Sequence, residues 1–241
     1  MNKLLQLLLL MLLPLSTIQA VESVHLQEAD IDLEDSESLQ RGAKYYVQYC
    51  LGCHSSKHIR YIRMAHHFDI SFEKTLEEIA PEGAGIYDTL ITAMNKHDAT
   101  KWFGTEPPDL SLIARSRGQD WLYSYLKGFY LDPKKSLGVN NTVFKDVGMP
   151  NVLWKLQGLQ RAEFETVNGQ EVISELVIDE EGTMNEEEFD LMVNDLVNFL
   201  VYIGEPTRLE RESMGKYVLF FLFMFLILAY LLKKEYWKDI H

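Results

Sequence analysis

The sequence predicts a mainly α-helical exported body with one small β-hairpin, followed by a single C-terminal membrane-crossing helix. Three observations predict this. Apolar residues recur at helical spacing in several separate segments. The one strong hairpin signal is Asn168-Gly169, between Phe164-Glu165-Thr166-Val167 and Gln170-Glu171-Val172-Ile173. The run from Tyr217 to Leu232 carries no charge at all.

The elements follow in order. Met1-Asn2-Lys3 supplies one positive charge, an apolar run extends from Leu4 to Leu15, and a polar stretch ends at Ala20. That is the layout of a secretory signal peptide, residues 1–20, although Ile18 stands where a small residue is usual. Residues 21–206 form the exported body. Val21 to Glu37 is acidic and weakly patterned, which suits an extended surface segment. A helix capped by Ser36 or Ser38 follows, with Leu39, Ala43, Tyr46, Val47 and Cys50 on one face. Phe72 to Ile79 and Ile86 to Met94 read as short helices. Pro107-Pro108 forces an extended strip, and Asp109 is placed to cap a short helix through Arg115 that Gly118 ends. Asp120 is placed to cap the next helix, whose stripe is Leu122, Tyr125, Leu126 and Phe129, with Asp132-Pro133 as its stop. Loop continues to about Val152.

A long helix begins at Asn185, with Glu186 to Glu188 favourable to its dipole. Its buried face is Phe189, Met192, Val193, Leu196, Leu200 and Ile203, and Gly204-Glu205-Pro206 ends it. Residues 207–216 are a charged juxtamembrane linker, 217–232 the anchor and 233–241 a tail. The run spans roughly 24 Å, and flanking lysines and Trp237 can reach the interface. Because the signal peptide exports the body, the tail stays inside.

The balance is acidic, with 36 Asp+Glu against 23 Lys+Arg and a net charge of -13. Phosphates would be repelled, so nucleic acid is an unsuitable partner and a basic protein a suitable one.

Both cysteines of the chain lie in Cys50-Leu51-Gly52-Cys53-His54. This spacing reads as attachment of a c-type haem. Two thiols a few residues apart on one turn can each add to a haem vinyl group, and His54 then lies beneath the iron. Zinc would need more Cys or His at ligand spacing, a redox dithiol would need a βαβ context, and a Cys50–Cys53 disulfide would close too small a loop to stabilise much. Candidates for a sixth iron ligand are Met149, Met94, Met64, Met184, His66, His67 and His97. Met149 is favoured because Gly148 allows close approach, Pro150 stiffens the loop, and a His/Met pair raises the reduction potential. Arg115 and Arg117 suit haem propionates, and Pro107-Pro108 can pack on the porphyrin.

Taken in order, several runs carry a resemblance: Arg41-Gly42 leading to Cys50–His54; Pro107-Pro108-Asp109-Leu110-Ser111; Arg115-Ser116-Arg117; Gly148-Met149-Pro150; Glu205-Pro206; and a terminal span with a basic tail. The sequence resembles the cytochrome c1 family, the haem c subunits of the ubiquinol–cytochrome c reductase (cytochrome bc1) complex. The resemblance implies a class I cytochrome c-like fold with insertions, His54 and Met149 as axial ligands, and Arg117 on a propionate. It implies electron transfer from a Rieske iron–sulfur protein to a soluble basic cytochrome c, beside cytochrome b, with no catalytic site of its own. The expected place is a bacterial inner membrane, single-pass, with the haem on the periplasmic side. Residues 55–106 carry no assignable family residue, and Trp121 stands where tyrosine is expected. Other readings are an anchored c-type cytochrome serving a terminal oxidase or reductase, and a haem peroxidase with an open sixth position.

Overall fold

A computed structural model of the chain describes residues 26–167 and 169–238. The expected signal segment and Asn168 lie outside the described residues. Helix α1 (Ser36–Tyr45) is capped not by either serine but by Asp35, whose carboxylate accepts from the Ser38 N–H at 3.0 Å. It continues as a π-helical turn over Tyr46–Cys50. Leu39, Ala43, Tyr46 and Cys50 are buried, as their spacing predicts.

Strand β1 (Ser56–Arg60), α2 (Tyr61–Phe68) and α3 (Phe72–Glu78) follow. The expected helix over Ile86 to Met94 is not there. Instead Thr89–Leu90 forms β2, antiparallel to β1 with a register shift between Ser56 and Arg60, and Leu90 is fully buried. The helix comes later, as α4 (Lys96–Phe103), capped by Asn95. Helix α5 (Ile113–Arg117) starts beyond Asp109, and α6 (Gln119–Lys127) starts at Gly118, whose φ of 93° suits a residue without Cβ. Asp120 does not cap α6; its carboxylate accepts the Ala29 N–H at 3.0 Å. Helix α6 stops at Gly128, before Asp132-Pro133, and Phe129 already belongs to β3 (Phe129–Leu131). That strand pairs with β4 (Val139–Asn141), a hairpin within the stretch expected to be loop.

After α7 (Trp154–Gln157), strands β5 (Gly158–Val167) and β6 (Gln170–Glu181) form the predicted hairpin, closed by the pair Val167 and Gln170. It is longer than the alternating residues suggested. Helix α8 (Glu186–Gly204) opens with a reciprocal capping box between Asn185 and Glu188, and its predicted buried face is buried. Among the described residues there are three sheets, each two-stranded and antiparallel. The fold is therefore mainly helical with small hairpins, as predicted.

Helices α1 and α8 cross in the core. A Cβ on Gly42 would sit 2.0 Å from the Asp195 carbonyl oxygen and 2.8 Å from the Phe199 Cβ, so glycine is what lets the backbones approach. Arg41 straps the crossing with two hydrogen bonds to the Asp195 carboxylate, at 2.6 and 2.9 Å. The acidic leading segment lies extended over α6 and α8. The Gln27 N–H donates to Ser124 Oγ, the Asp30 N–H to Asn194 Oδ1, and Asn198 Nδ2 to the Asp32 carbonyl.

Helix α9 (Arg208–Tyr236) absorbs nearly all of the expected juxtamembrane linker. Its 29 residues reach about 43 Å, enough to cross a ~30 Å hydrocarbon core with its charged first turns outside. The apolar side chains from Val218 to Leu232 are exposed on every side, which suits lipid.

Candidate haem site

The π-helical turn delivers the cysteine motif. The Leu51 N–H donates to the Tyr46 carbonyl at 2.9 Å, and the Cys53 and His54 N–H groups both donate to the Cys50 carbonyl, at 3.0 and 2.8 Å. The chain is thereby coiled so that Cys50, Cys53 and His54 line one cleft. Buried Tyr46 fixes the far side of the turn. Its hydroxyl donates to the His54 carbonyl at 2.8 Å and accepts from Ser56 Oγ at 2.8 Å.

The Pro-Pro-Asp-Leu-Ser run is zipped onto the residues just past the motif. The Leu110 N–H donates to the Ser55 carbonyl, and the His58 N–H donates to Ser111 Oγ. Asp109 does not cap α5; its carboxylate accepts from the Lys57 and Ser111 N–H groups. This zipper places the Pro108 carbonyl 2.8 Å from His54 Nδ1. A carbonyl can only accept, so Nδ1 carries the proton and Nε2 keeps its lone pair for a metal. Burial lowers the imidazole pKa from its ordinary value, the Pro108 bond opposes this only in part, and the ring is neutral at pH 7 as ligation requires.

The rest of the cleft lining comes largely from α6 and the segment after β4. Met149, Val147, Pro150, Tyr125, Trp121 and Phe144 belong to it, together with Phe103 and Thr105 from the stretch that carried no recognisable motif. Of the sulfur and histidine candidates, Met149 alone lines this cleft. Met64 is fully buried in the core, Met184 packs against it, His67 stacks on Tyr202 at 4.4 Å, His66 meets Phe72 edge-on, and His97 is exposed. Met94 is half-buried outside the cleft lining.

The two arginines separate. Arg117 lines the cleft, its guanidinium 5.1 Å from the Trp121 ring centroid and 5.8 Å from that of Phe144. Arg115 lies outside the cleft lining, with Nη1 3.8 Å from Glu205 Oε2. Pro107 and Pro108 both line the cleft, as expected. Sequence reasoning missed the carbonyl role of Pro108, the Tyr46 clamp and the cleft position of Tyr125. The only signal for Tyr125 was one hydroxyl within an otherwise apolar helical stripe.

Cys50 and Cys53 are not joined to each other by a disulfide. Burial pushes the Cys50 thiol up to about 12 and raises that of Cys53, the reverse of what an activated redox dithiol needs. Among the described residues no group of three metal-ligating His, Cys, Asp or Glu side chains comes together. The site is an apolar cleft lined by two cysteine sulfurs, an imidazole, a thioether and a guanidinium. That donor set and wall chemistry fit a covalent haem.

Comparison with known proteins agrees. A model of the cytochrome c1 family matches residues 63–240. Cytochrome c1 of Allochromatium vinosum is 48% identical over 244 residues, covering 100% of both chains. The chain belongs to the cytochrome c1 family. It is accordingly an electron-transfer subunit of the cytochrome bc1 complex, with one covalently bound haem c and a membrane anchor. A Nitrosomonas europaea protein named ammonia monooxygenase gamma subunit is 47% identical over 98% of this chain and 97% of its own. Cytochrome c1 of Rhodospirillum rubrum is 27% identical over 86% of this chain and 83% of its own. The family match begins beyond the cysteine motif, whereas the whole-chain relative covers it.

Proposed function

We propose that Cys50 and Cys53 form the thioether links, that His54 Nε2 and Met149 Sδ are the axial ligands, and that Arg117 pairs with a propionate. Pro107-Pro108 packs on the porphyrin. The observation that carries this is that His54, Met149 and both cysteines line one and the same apolar cleft. The bound haem supplies a one-electron couple. The chain's part is to hold both axial positions, exclude water, and leave no open coordination site for oxygen or peroxide, which argues against a peroxidase. Arg115, held near Glu205, serves the junction between body and anchor in this reading.

In this proposal the body, residues 21–206, lies on the periplasmic side of a bacterial inner membrane after removal of residues 1–20. Residues 217–232 cross the bilayer and 233–241 stay inside. The electron donor is a Rieske iron–sulfur protein, held beside cytochrome b, and the acceptor is a soluble basic cytochrome c. Purification in mild detergent tests the assembly. Recovery with cytochrome b and a Rieske protein is expected; recovery with monooxygenase or terminal-oxidase subunits instead would overturn it.

Acidic docking makes a separate prediction. Glu28, Asp30, Asp32 and Glu34 are exposed on the leading segment, as are Glu37 in the first turn of α1 and Glu73 and Glu77 on α3. A third acidic surface, which the sequence reading overlooked, is the β5–β6 hairpin with Glu163, Glu165, Glu171, Glu175, Asp179, Glu180 and Glu181. Turnover with basic cytochrome c is expected to fall several-fold as added salt shortens the screening length from about 10 Å to about 3 Å. A flat salt profile would remove the electrostatic docking.

A further inference from the structure

Among the described residues, Tyr125 is the one side chain that the structure bonds to the Met149 sulfur. Its hydroxyl lies 3.3 Å from Sδ. A thioether has no proton to give, so Tyr125 donates and sulfur accepts. The geometry is built rather than incidental. The Tyr125 ring is stacked on Trp121, with centroids 4.8 Å apart and planes 9° from parallel, and it meets Phe129 edge-on at 5.2 Å. Its backbone is tied as well. Buried Asn141 donates from Nδ2 to the Tyr125 carbonyl at 2.8 Å, while its Oδ1 accepts from the Val143 and Phe144 N–H groups at 2.9 and 3.1 Å. Asn141 thus pins the helix that carries the donor to the start of the segment that carries the acceptor.

We infer that Tyr125 is a positioning residue for the Met149 ligand and sets the reduction potential of this site. The inference rests on Met149 being the axial ligand. Sulfur has two lone pairs. One held by the Tyr125 proton leaves the other for iron, which selects a single orientation of the thioether. A hydrogen bond also withdraws electron density from sulfur. The poorer donor stabilises the ferric state less, and the ferrous state is comparatively favoured. The stacked indole and the edge-on phenyl keep the hydroxyl aimed in both oxidation states, so little reorganisation accompanies electron transfer.

The experiment uses the full-length, haem-loaded protein purified with its complex. Tyr125→Phe keeps the ring and its stack and removes only the proton donor. Its expected result is a lower potential: the oxidised-to-reduced equilibrium shifts roughly threefold, which is about 30 mV at 59 mV per tenfold. The low-spin spectrum persists, and the far-red charge-transfer band of the sulfur-ligated ferric protein moves. Tyr125→Leu, which also removes the stacking ring, shifts the potential at least as far and broadens that band as the thioether becomes free to reorient. An unchanged potential and an unmoved band in Tyr125→Phe would overturn the role of Tyr125 while leaving Met149 as ligand. Absence of the far-red band from the wild-type protein, with Met149→Ala spectrally silent, would instead overturn the ligand on which the inference rests. A merely structural Tyr125 would lower the yield of both variants without moving the potential of the Phe variant, which also counts against the inference.

Discussion

Met149→Ala is expected to turn a closed, low-spin site into an open one, lower its potential by on the order of 0.1 V or more, and abolish forward electron flow to the acceptor. Axial ligands set haem potentials over a range of ~0.8 V, and a thioether opposite an imidazole lies toward its high end. A 0.1 V fall is about fiftyfold in the electron-transfer equilibrium at 59 mV per tenfold. The fold itself is expected to survive. Met149 is only half-buried, on an irregular segment whose backbone is anchored elsewhere, by Asn140 and Asn141 upstream and by Asn151 downstream. The loss is therefore one of ligation rather than of packing. The variant is expected to bind carbon monoxide and the wild type is expected not to. Met94→Ala is the matching control, because Met94 is half-buried outside the cleft and its truncation should leave spectrum and potential unchanged. A low-spin Met149→Ala protein at the wild-type potential would mean that the sixth ligand is another residue.

What the sequence made legible was local chemistry. Cys50–His54 is read directly because the proposed attachment depends only on that local spacing. Helix α8 is read because capping residue, acidic first turn and apolar face agree along one element. The β5–β6 hairpin is read because Asn-Gly demands a particular turn. The failures lie where a tertiary contact overrides a local preference. Ile86 to Met94 has the apolar content of a helix, yet Leu90 is drawn into the core, where Thr89–Leu90 pairs as a short strand with β1. Asp109 and Asp120 look like helix caps, but each spends its carboxylate on a distant strand or segment. The β3–β4 hairpin was missed because its connection runs from Asp132 to Gly138 and carries Pro133, a helix-stop signal that masks a longer turn. The site divides in the same way. The proximal half, Cys50, Cys53, His54 and Pro108, is visible as two motifs. That Tyr125 meets Met149 follows only from the packing of α6 against a segment more than twenty residues away.

The same dependence on packing makes Gly42 a sensitive position in the helical core. Gly42→Ala is expected to destabilise the protein by about 2–3 kcal/mol, measured as a fall in thermal or denaturant midpoint in detergent. By helix propensity alone the change should help, because alanine is favoured over glycine by ~1 kcal/mol within a helix. Sterics decide the sign. The new Cβ would stand 2.0 Å from a backbone oxygen of α8 and 2.8 Å from the Phe199 Cβ, and neither atom lies at the free end of a flexible side chain. The crossing must open, which places the cost at the upper end of the ~1–3 kcal/mol typical of overpacking. It also strains the Arg41–Asp195 pair one residue away. Gly215→Ala is the internal comparison. Gly215 lies in α9 with nothing within 4 Å of its added Cβ, so the same substitution should be neutral or slightly stabilising there. Opposite signs for one chemical change would locate the effect in the α1–α8 contact rather than in glycine itself. Because α1 runs straight through the π-helical turn to Cys50, opening this crossing also displaces the attachment turn. The yield of haem-loaded protein should therefore fall in Gly42→Ala and stay unchanged in Gly215→Ala. Equal stability of Gly42→Ala and wild type would show that α8 can retreat from α1 at no cost, and that the glycine is not what sets their approach.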